Sequence, residues 1–239
     1  MSMQPQSSAP RLRASAAWIL LAGFLSAHIS AAAARSQTAS AQRARARKEY
    51  ALGTAAYNHG DWPAALRHLR RAAKLGNTNA LVILGDGYAY EQFGNANTRP
   101  FAIILYRAAA ERANPDGMER LGIAYLAGSY GVHQDYPKAQ LWLRRAAAKG
   151  ESDAMVDLGN MYCMGNGVPE NRHTAYLWYG RAARAGNSDA RQWWRERARD
   201  TYPGNVPPAA GMFSGPCMTP PLETLGTMGG HILHLPDRR

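Results

Sequence analysis

Three side chains near the C-terminus are of types that bind metal: His231, His234 and Cys217. A His-x-x-His pair with a thiolate nearby offers three nitrogen or sulfur ligands, the donor set of a zinc site with one open position. The spacing is loose and the surroundings are rich in Pro and Gly, so three solvated tail residues are the competing reading. Cys163 and Cys217 are the only cysteines. Two thiols exclude a four-cysteine zinc site and a disulfide-dense mini-fold. In an oxidising compartment they could pair, closing a loop of about 54 residues and contributing roughly 4 kcal/mol in the chain-entropy picture. In the alternative, Cys163 is a small apolar residue in a helix interface and Cys217 an incidental tail thiol. The chain has no H-E-x-x-H, no G-x-x-x-x-G-K-[ST] and no G-x-S-x-G. Pieces such as Gly165-Asn166-Gly167 lack a preceding strand, which makes them turns rather than a dinucleotide site. No catalytic residue, metal ligand or cofactor is assigned, and the chain reads as non-enzymatic; a metal-dependent enzyme using the tail histidines is the third reading.

The elements that would position any site come from a repeat. Residues 117–132 and 154–168 are near copies, and Gly85, Gly122 and Gly159 recur 37 residues apart. Ala65, Ala102, Ala139 and Ala175 follow in steps of 37, 37 and 36. A period of this size means stacked helical units, each burying its apolar face on the next. Asp61-Trp62-Pro63 is a helix start, with Pro in the first turn behind an acidic cap; Gly76-Asn77 is the matching stop. Gly inside a helix costs about 1 kcal/mol relative to Ala, so Gly53, Gly85, Gly122 and Gly159 imply a compensating close approach, with Ala expected opposite. In unit one the distance from Gly53 to Ala65 and Ala72 is that of a tetratricopeptide repeat; in units two to four the connecting loop is four or five residues longer.

Unit three carries Leu121, Gly122, Tyr125, Gly128, Gly131, Val132, Asp135, Lys138, Ala139, Trp142, Ala146, Ala147 and Gly150. Unit four carries Ala154, Leu158, Gly159, Tyr162, Gly165, Gly167, Val168, Ala175, Trp178, Tyr179, Ala182, Ala183 and Gly186. These residues resemble the Sel-one-like repeat family, a branch of the tetratricopeptide-type solenoids. Unit two is a decayed copy, and unit one is closer to the parent repeat. The resemblance implies an all-α, right-handed α-solenoid of about four helix-hairpin repeats plus a C-terminal capping helix near 190–200. It also implies adaptor or scaffold roles in membrane-associated, secretory or signalling complexes, envelope ones in bacteria. In this class the first helices line a concave face. Residues one after and three before each packing Gly should point there: Tyr50, Thr54, Val82, Asp86, Glu119, Ile123, Val156 and Asn160. Trp142 and Trp178 read as core, and the pairs Arg70-Arg71 and Arg144-Arg145 as solvated outer face.

The N-terminus pairs Arg11 and Arg13 with an apolar run over 14–27, then small residues over 31–34. That run is short of the roughly 20 residues that span a bilayer, and the order of parts is that of a secretory signal. The expected organisation is a signal peptide over 1–34, a flexible basic leader over 35–43, repeats over 44–200 and a Pro/Gly-rich tail over 201–239, with 230–235 as a short patch able to dock back. An exported, periplasmic or secreted protein follows, without a transmembrane span once the signal is gone. The net charge is +11, and +9 without Arg11 and Arg13. Such a balance favours acidic partners, so a polyanion-binding envelope protein (acidic polysaccharide or anionic lipid) stands as the alternative to a protein or peptide partner; nucleic acid is not expected.

Overall fold

The computed structural model describes residues 13–201 together with Cys217 and Met218. They divide into two compact units, one ending at Arg45 and the other beginning at Ala46. The first consists of the N-terminal part of helix α1, Arg13–Asn58. Segment 35–43, expected to be an irregular leader, is helical. Its Ala, Gln and Arg are good helix formers and no Gly or Pro interrupts them. Thr38 and Ser40 return their hydroxyls to the carbonyls of Arg35 and Gln37, which removes their usual competition with the helix.

The second unit holds the end of α1 and then α2 (Trp62–Lys74), α3 (Thr78–Ala89), α4 (Pro100–Glu111), α5 (Pro115–Ala127), α6 (Tyr136–Ala148), α7 (Ser152–Met164), α8 (Arg172–Ala185) and α9 (Ser188–Thr201). There is no strand among the described residues. The expected all-α solenoid is what the structure shows. Hairpins α3–α4, α5–α6 and α7–α8 each pack through their second helix on the next first helix, and α8 packs on the terminal α9. Asp61, Asn77, Asn114, Asp135, Asn171 and Asn187 each accept a main-chain N–H at a helix start, satisfying donors that a first turn leaves unpaired. Gly128 and Gly165 end α5 and α7 in the left-handed region, at φ 66° and 72°, where a side chain would be strained.

The four packing glycines sit at close approaches, but not against Ala. A Cβ at Gly53 or Gly122 would stand 2.7 Å from Cγ of Leu69 or Leu143; at Gly85 or Gly159 it would stand 2.4 or 2.3 Å from Cε1 of Tyr106 or Tyr179. Large side chains alternate down the stack, Leu, Tyr, Leu, Tyr, each filling the notch its Gly leaves, and all four are essentially fully buried. The recurring Ala65, Ala102, Ala139 and Ala175 are also fully buried, elsewhere in the interface. Gly159→Val must push the Tyr179 ring aside, and overpacking of this kind costs roughly 1–3 kcal/mol. The expected result is a lower thermal midpoint with helical content retained; an unchanged midpoint would remove the close approach from the account.

A second periodic contact ties each unit to the next. Arg70, Arg107 and Arg144 donate to the hydroxyls of Tyr88, Tyr125 and Tyr162 at 2.8, 3.3 and 2.7 Å, each pair 18 residues apart in sequence. In the degenerate second unit a 3-10 turn, Ala96–Thr98, replaces the Gly-rich loop; Asn95 and Thr98 cap it reciprocally. The cap expected over 190–200 lies within α9, where the Trp193 ring packs at a steep angle, 4.9 Å between centroids, on both Tyr176 and Tyr179 and Trp194 covers Gly180.

Candidate partner-binding face

The eight residues expected on the concave face divide into two sets. Tyr50, Thr54, Ile123 and Val156 are half-buried. Val82, Asp86, Glu119 and Asn160 are buried, with 4–6 % of their surface exposed, so they are not available to a partner. The correction has a specific cause. Where a Tyr rather than an Ala stands opposite the packing Gly, its ring is long enough to reach the residue after that Gly. Tyr106 donates its hydroxyl to Asp86 and Tyr179 to Asn160, both at 2.7 Å. Val82 joins the main apolar core. Buried polar groups need partners of this kind, and Asp86 and Asn160 thereby tie neighbouring helices together.

The same side of α5 and α7 gathers carboxyls, Asp86 and Glu119 beneath the surface and Asp116, Glu151, Asp153 and Asp157 partly exposed. Arg120 Nε lies 3.3 Å from Asp86 and its Nη1 3.6 Å from Glu119, one cation between two units. Burial pushes Glu119 up to about 8, against the pull of Arg120 and with help from Asp157, Asp153 and Asp86. Asp157 is raised to about 7 by burial and by Asp153, and its Oδ2 is buried without a hydrogen-bond partner. Glu151 is raised to about 7, by burial first, then by the hydrogen bond and charge of Asp116. Loss of water disfavours the charged carboxylate, and like charges nearby add to it. Nothing in the composition of a chain with net charge +11 signals this acidic ground. Sorting charges by helix would have found it: α3, α5 and α7 carry five acids and one base.

The C-terminal end of this face holds a piece of the chain itself. Cys163, near the end of α7, is bonded to Cys217, with Cα atoms 5.9 Å apart. The main chain of Met218 hydrogen-bonds the Tyr179 hydroxyl, and Cys217 and Met218, like Val156, Tyr162 and Trp193, pack against the buried cluster of Cys163, Ala175 and Tyr179. With Cys217 in a disulfide, the three-ligand set suggested for the tail loses its thiolate. His231, His234 and the patch at 230–235 lie outside the described residues. Among those described, no group of three His, Cys, Asp or Glu is placed to hold a metal ion. Trp142 and Trp178 are half-buried, with the guanidinium groups of Arg145 and Arg181 each 4.7 Å over their rings.

The Sel1 repeat pattern matches residues 49–77, 115–151 and 152–187. It includes unit one, which the spacing alone had set nearer the parent repeat, and it passes over unit two, whose helices are present but whose loop has lost the Gly-rich turn. Among solved structures, a Sel1 repeat protein from Oxalobacter formigenes shares 27 % identity over 59 % of this chain, with a TM-score of 0.53. The protein c5321, a protective antigen of uropathogenic Escherichia coli strains with an SLR fold, shares 30 % identity over 65 % of the chain, with a TM-score of 0.55. The aligned parts span 57 % and 34 % of those two proteins. No curated protein matches the chain. Three matched repeats, one 37-residue period and a shared stack of helix hairpins show that this chain carries Sel1 repeats.

Proposed function

We propose that the protein is a non-catalytic interaction scaffold of the bacterial cell envelope that binds a protein or peptide partner on the face made by its first helices. Sel1 repeats generally serve as protein-interaction scaffolds. The observation that carries the choice of face is the group of Asp116, Glu151, Asp153 and Asp157, all at least partly exposed, beside half-buried Ile123 and Val156. A mixed acidic and apolar surface suits a partner segment bearing Lys or Arg, and such complementarity acts on specificity and on-rate. Export is supported by the basic, apolar and small-residue order of 11–34 and by a disulfide, which persists in oxidising compartments. Among the described residues no helix is long and apolar enough to cross a membrane.

The test is site-specific photo-crosslinking in cells. A crosslinker at Ile123 or Val156 is expected to capture a discrete partner, while one at Leu177, on a second helix, does not give that product. Capture only from Leu177 would overturn the choice of face. Fractionation with N-terminal sequencing of the mature chain tests export, and a protein that stays in the cytoplasm ends the envelope reading.

A further inference from the structure

The net positive charge is not spread evenly over the repeats. Helices α2, α4, α6 and α8 carry eleven Lys or Arg and a single acid, Glu111. Among the described residues Arg70, Arg107, Arg144, Arg145, Arg181 and Arg184 are exposed and none of them forms an ion pair. Several are held in place by neutral groups instead: Arg70, Arg107 and Arg144 by tyrosine hydroxyls, Arg145 and Arg181 by tryptophan rings. A guanidinium fixed this way keeps its charge and most of its five donors for an outside anion.

The same helices expose an apolar side chain at one repeat position. Ile104, Leu141 and Leu177 stand 37 and 36 residues apart, one per helix on α4, α6 and α8, at 59, 47 and 45 % exposure. Phe101 adds a further 52 % exposed ring at the N-terminal end of α4, where an apolar groove forms with Leu84, Tyr88 and Leu105. Each exposed Leu or Ile lies three or four residues before an Arg (Ile104 and Arg107, Leu141 and Arg145, Leu177 and Arg181), so the two lie on neighbouring turns of one helix face. Alternating guanidinium and aliphatic groups, repeated across three helices, suit a surface that is anionic at its rim and apolar just beneath.

We propose that the outer face of α4, α6 and α8 docks on an anionic lipid surface, with Ile104, Leu141 and Leu177 entering the interface while Arg107, Arg144, Arg145 and Arg181 take headgroup phosphates. This face is separate from the carboxyl-lined one, so a partner and a membrane can be held at the same time. Charge complementarity selects this occupant. A second copy of the chain docked through the same face would bring one basic surface against another, and a soluble acidic polymer would leave the aliphatic stripe without a role.

The full chain is mixed with vesicles of equimolar phosphatidylglycerol and phosphatidylcholine and, separately, of phosphatidylcholine alone, and the bound fraction is read by flotation. Binding to the neutral vesicles belongs to the apolar run at 14–27, and the excess on anionic vesicles is the quantity of interest. A basic side chain near an anionic surface contributes about fivefold to the partition constant, so Arg145→Gln with Arg181→Gln lowers the constant for anionic vesicles, read from a lipid titration of the bound fraction, roughly thirtyfold. The triple change Ile104→Ser, Leu141→Ser and Leu177→Ser is also expected to lower it, whereas Arg191→Gln with Arg195→Gln on α9 is not. Circular dichroism confirms that each variant keeps its helical content. No excess on anionic vesicles overturns the proposal. So does an excess that the serine variant leaves intact while a soluble acidic polysaccharide competes fully, which would make the face a general polyanion site. Loss of vesicle binding with crosslinking at Ile123 retained separates this result from the choice of partner face.

Discussion

Reducing the bond between Cys163 and Cys217, or replacing both residues by Ser, is expected to lower the stability of the repeat unit by up to about 4 kcal/mol. The bond closes a loop of 54 residues, and most of the effect comes from the freedom that the unfolded chain regains when the loop opens. The folded state loses contacts as well. Met218 is released from the Tyr179 hydroxyl, and the cluster of Cys163, Ala175 and Tyr179 loses part of its cover. A stack of repeats couples mainly through nearest neighbours, so the damage should concentrate at one end. Hydrogen exchange is expected to speed up in α7, α8 and α9 and to stay slow in α3 to α5. The check is denaturant unfolding of the wild type with and without a dithiol, beside the Cys163→Ser, Cys217→Ser double variant. The reduced wild type and the double variant should coincide. A midpoint indifferent to reductant would mean that residues 217–218 contribute nothing to the fold.

The period of the chain was plain in its letters because a solenoid repeats its contacts as well as its shape. Gly85, Gly122 and Gly159 mark the crossings, and Asn114 or Asp135 mark the helix starts, each through a local rule that needs no knowledge of neighbours. What stands opposite a given Gly is a different kind of fact. It depends on helix rotation, and a shift by one turn separates Ala139 from Leu143, both buried. From that one ambiguity followed the misplacement of Asp86 and Asn160 on an open face, since only a Tyr in the notch brings a hydroxyl to them. The helix through 35–43 escaped for another reason. Without apolar periodicity a segment looks irregular, although Ala, Gln and Arg need no buried face to favour a helix. The Arg–Tyr ties could have been found, because an Arg 18 residues before a Tyr recurs three times. The segregation of charge between first and second helices was also present in the sequence, hidden by a net figure that averages the two.

That segregation leads to the second large effect, which is a dependence of stability on pH. Glu119 titrates near 8 in the folded protein against an ordinary value of 4.5, so folding favours its protonated form. A raised carboxyl stabilises fully below its unfolded pKa, and that contribution is lost as pH rises through the folded one. The protein should therefore be most stable near pH 5 and weaken steadily up to about pH 8. Each pKa unit corresponds to about 1.4 kcal/mol, so the loss for Glu119 alone reaches at most roughly 4–5 kcal/mol. Arg120 on the same helix opposes the loss, while Asp86 from α3 and Asp153 and Asp157 from α7 reinforce it, and Asp157 titrates in the same window. Glu49 and Asp135 act with the opposite sign. The hydrogen bond from His68 holds Glu49 below the usual carboxylate range, and that from Lys138 does the same for Asp135. Their contributions disappear only in more acidic solution and leave the window above pH 5 clear. Glu119→Gln keeps the shape and removes the titration. Its unfolding midpoint, followed from pH 5 to pH 9, should fall less than that of the wild type, the remaining decline belonging to Asp157 and Glu151, and the two curves should lie furthest apart at the alkaline end. A wild-type curve that is flat or rising across this range would show that Arg120 keeps Glu119 ionised, and the carboxyl ground between α5 and α7 would then be a set of ordinary ion pairs.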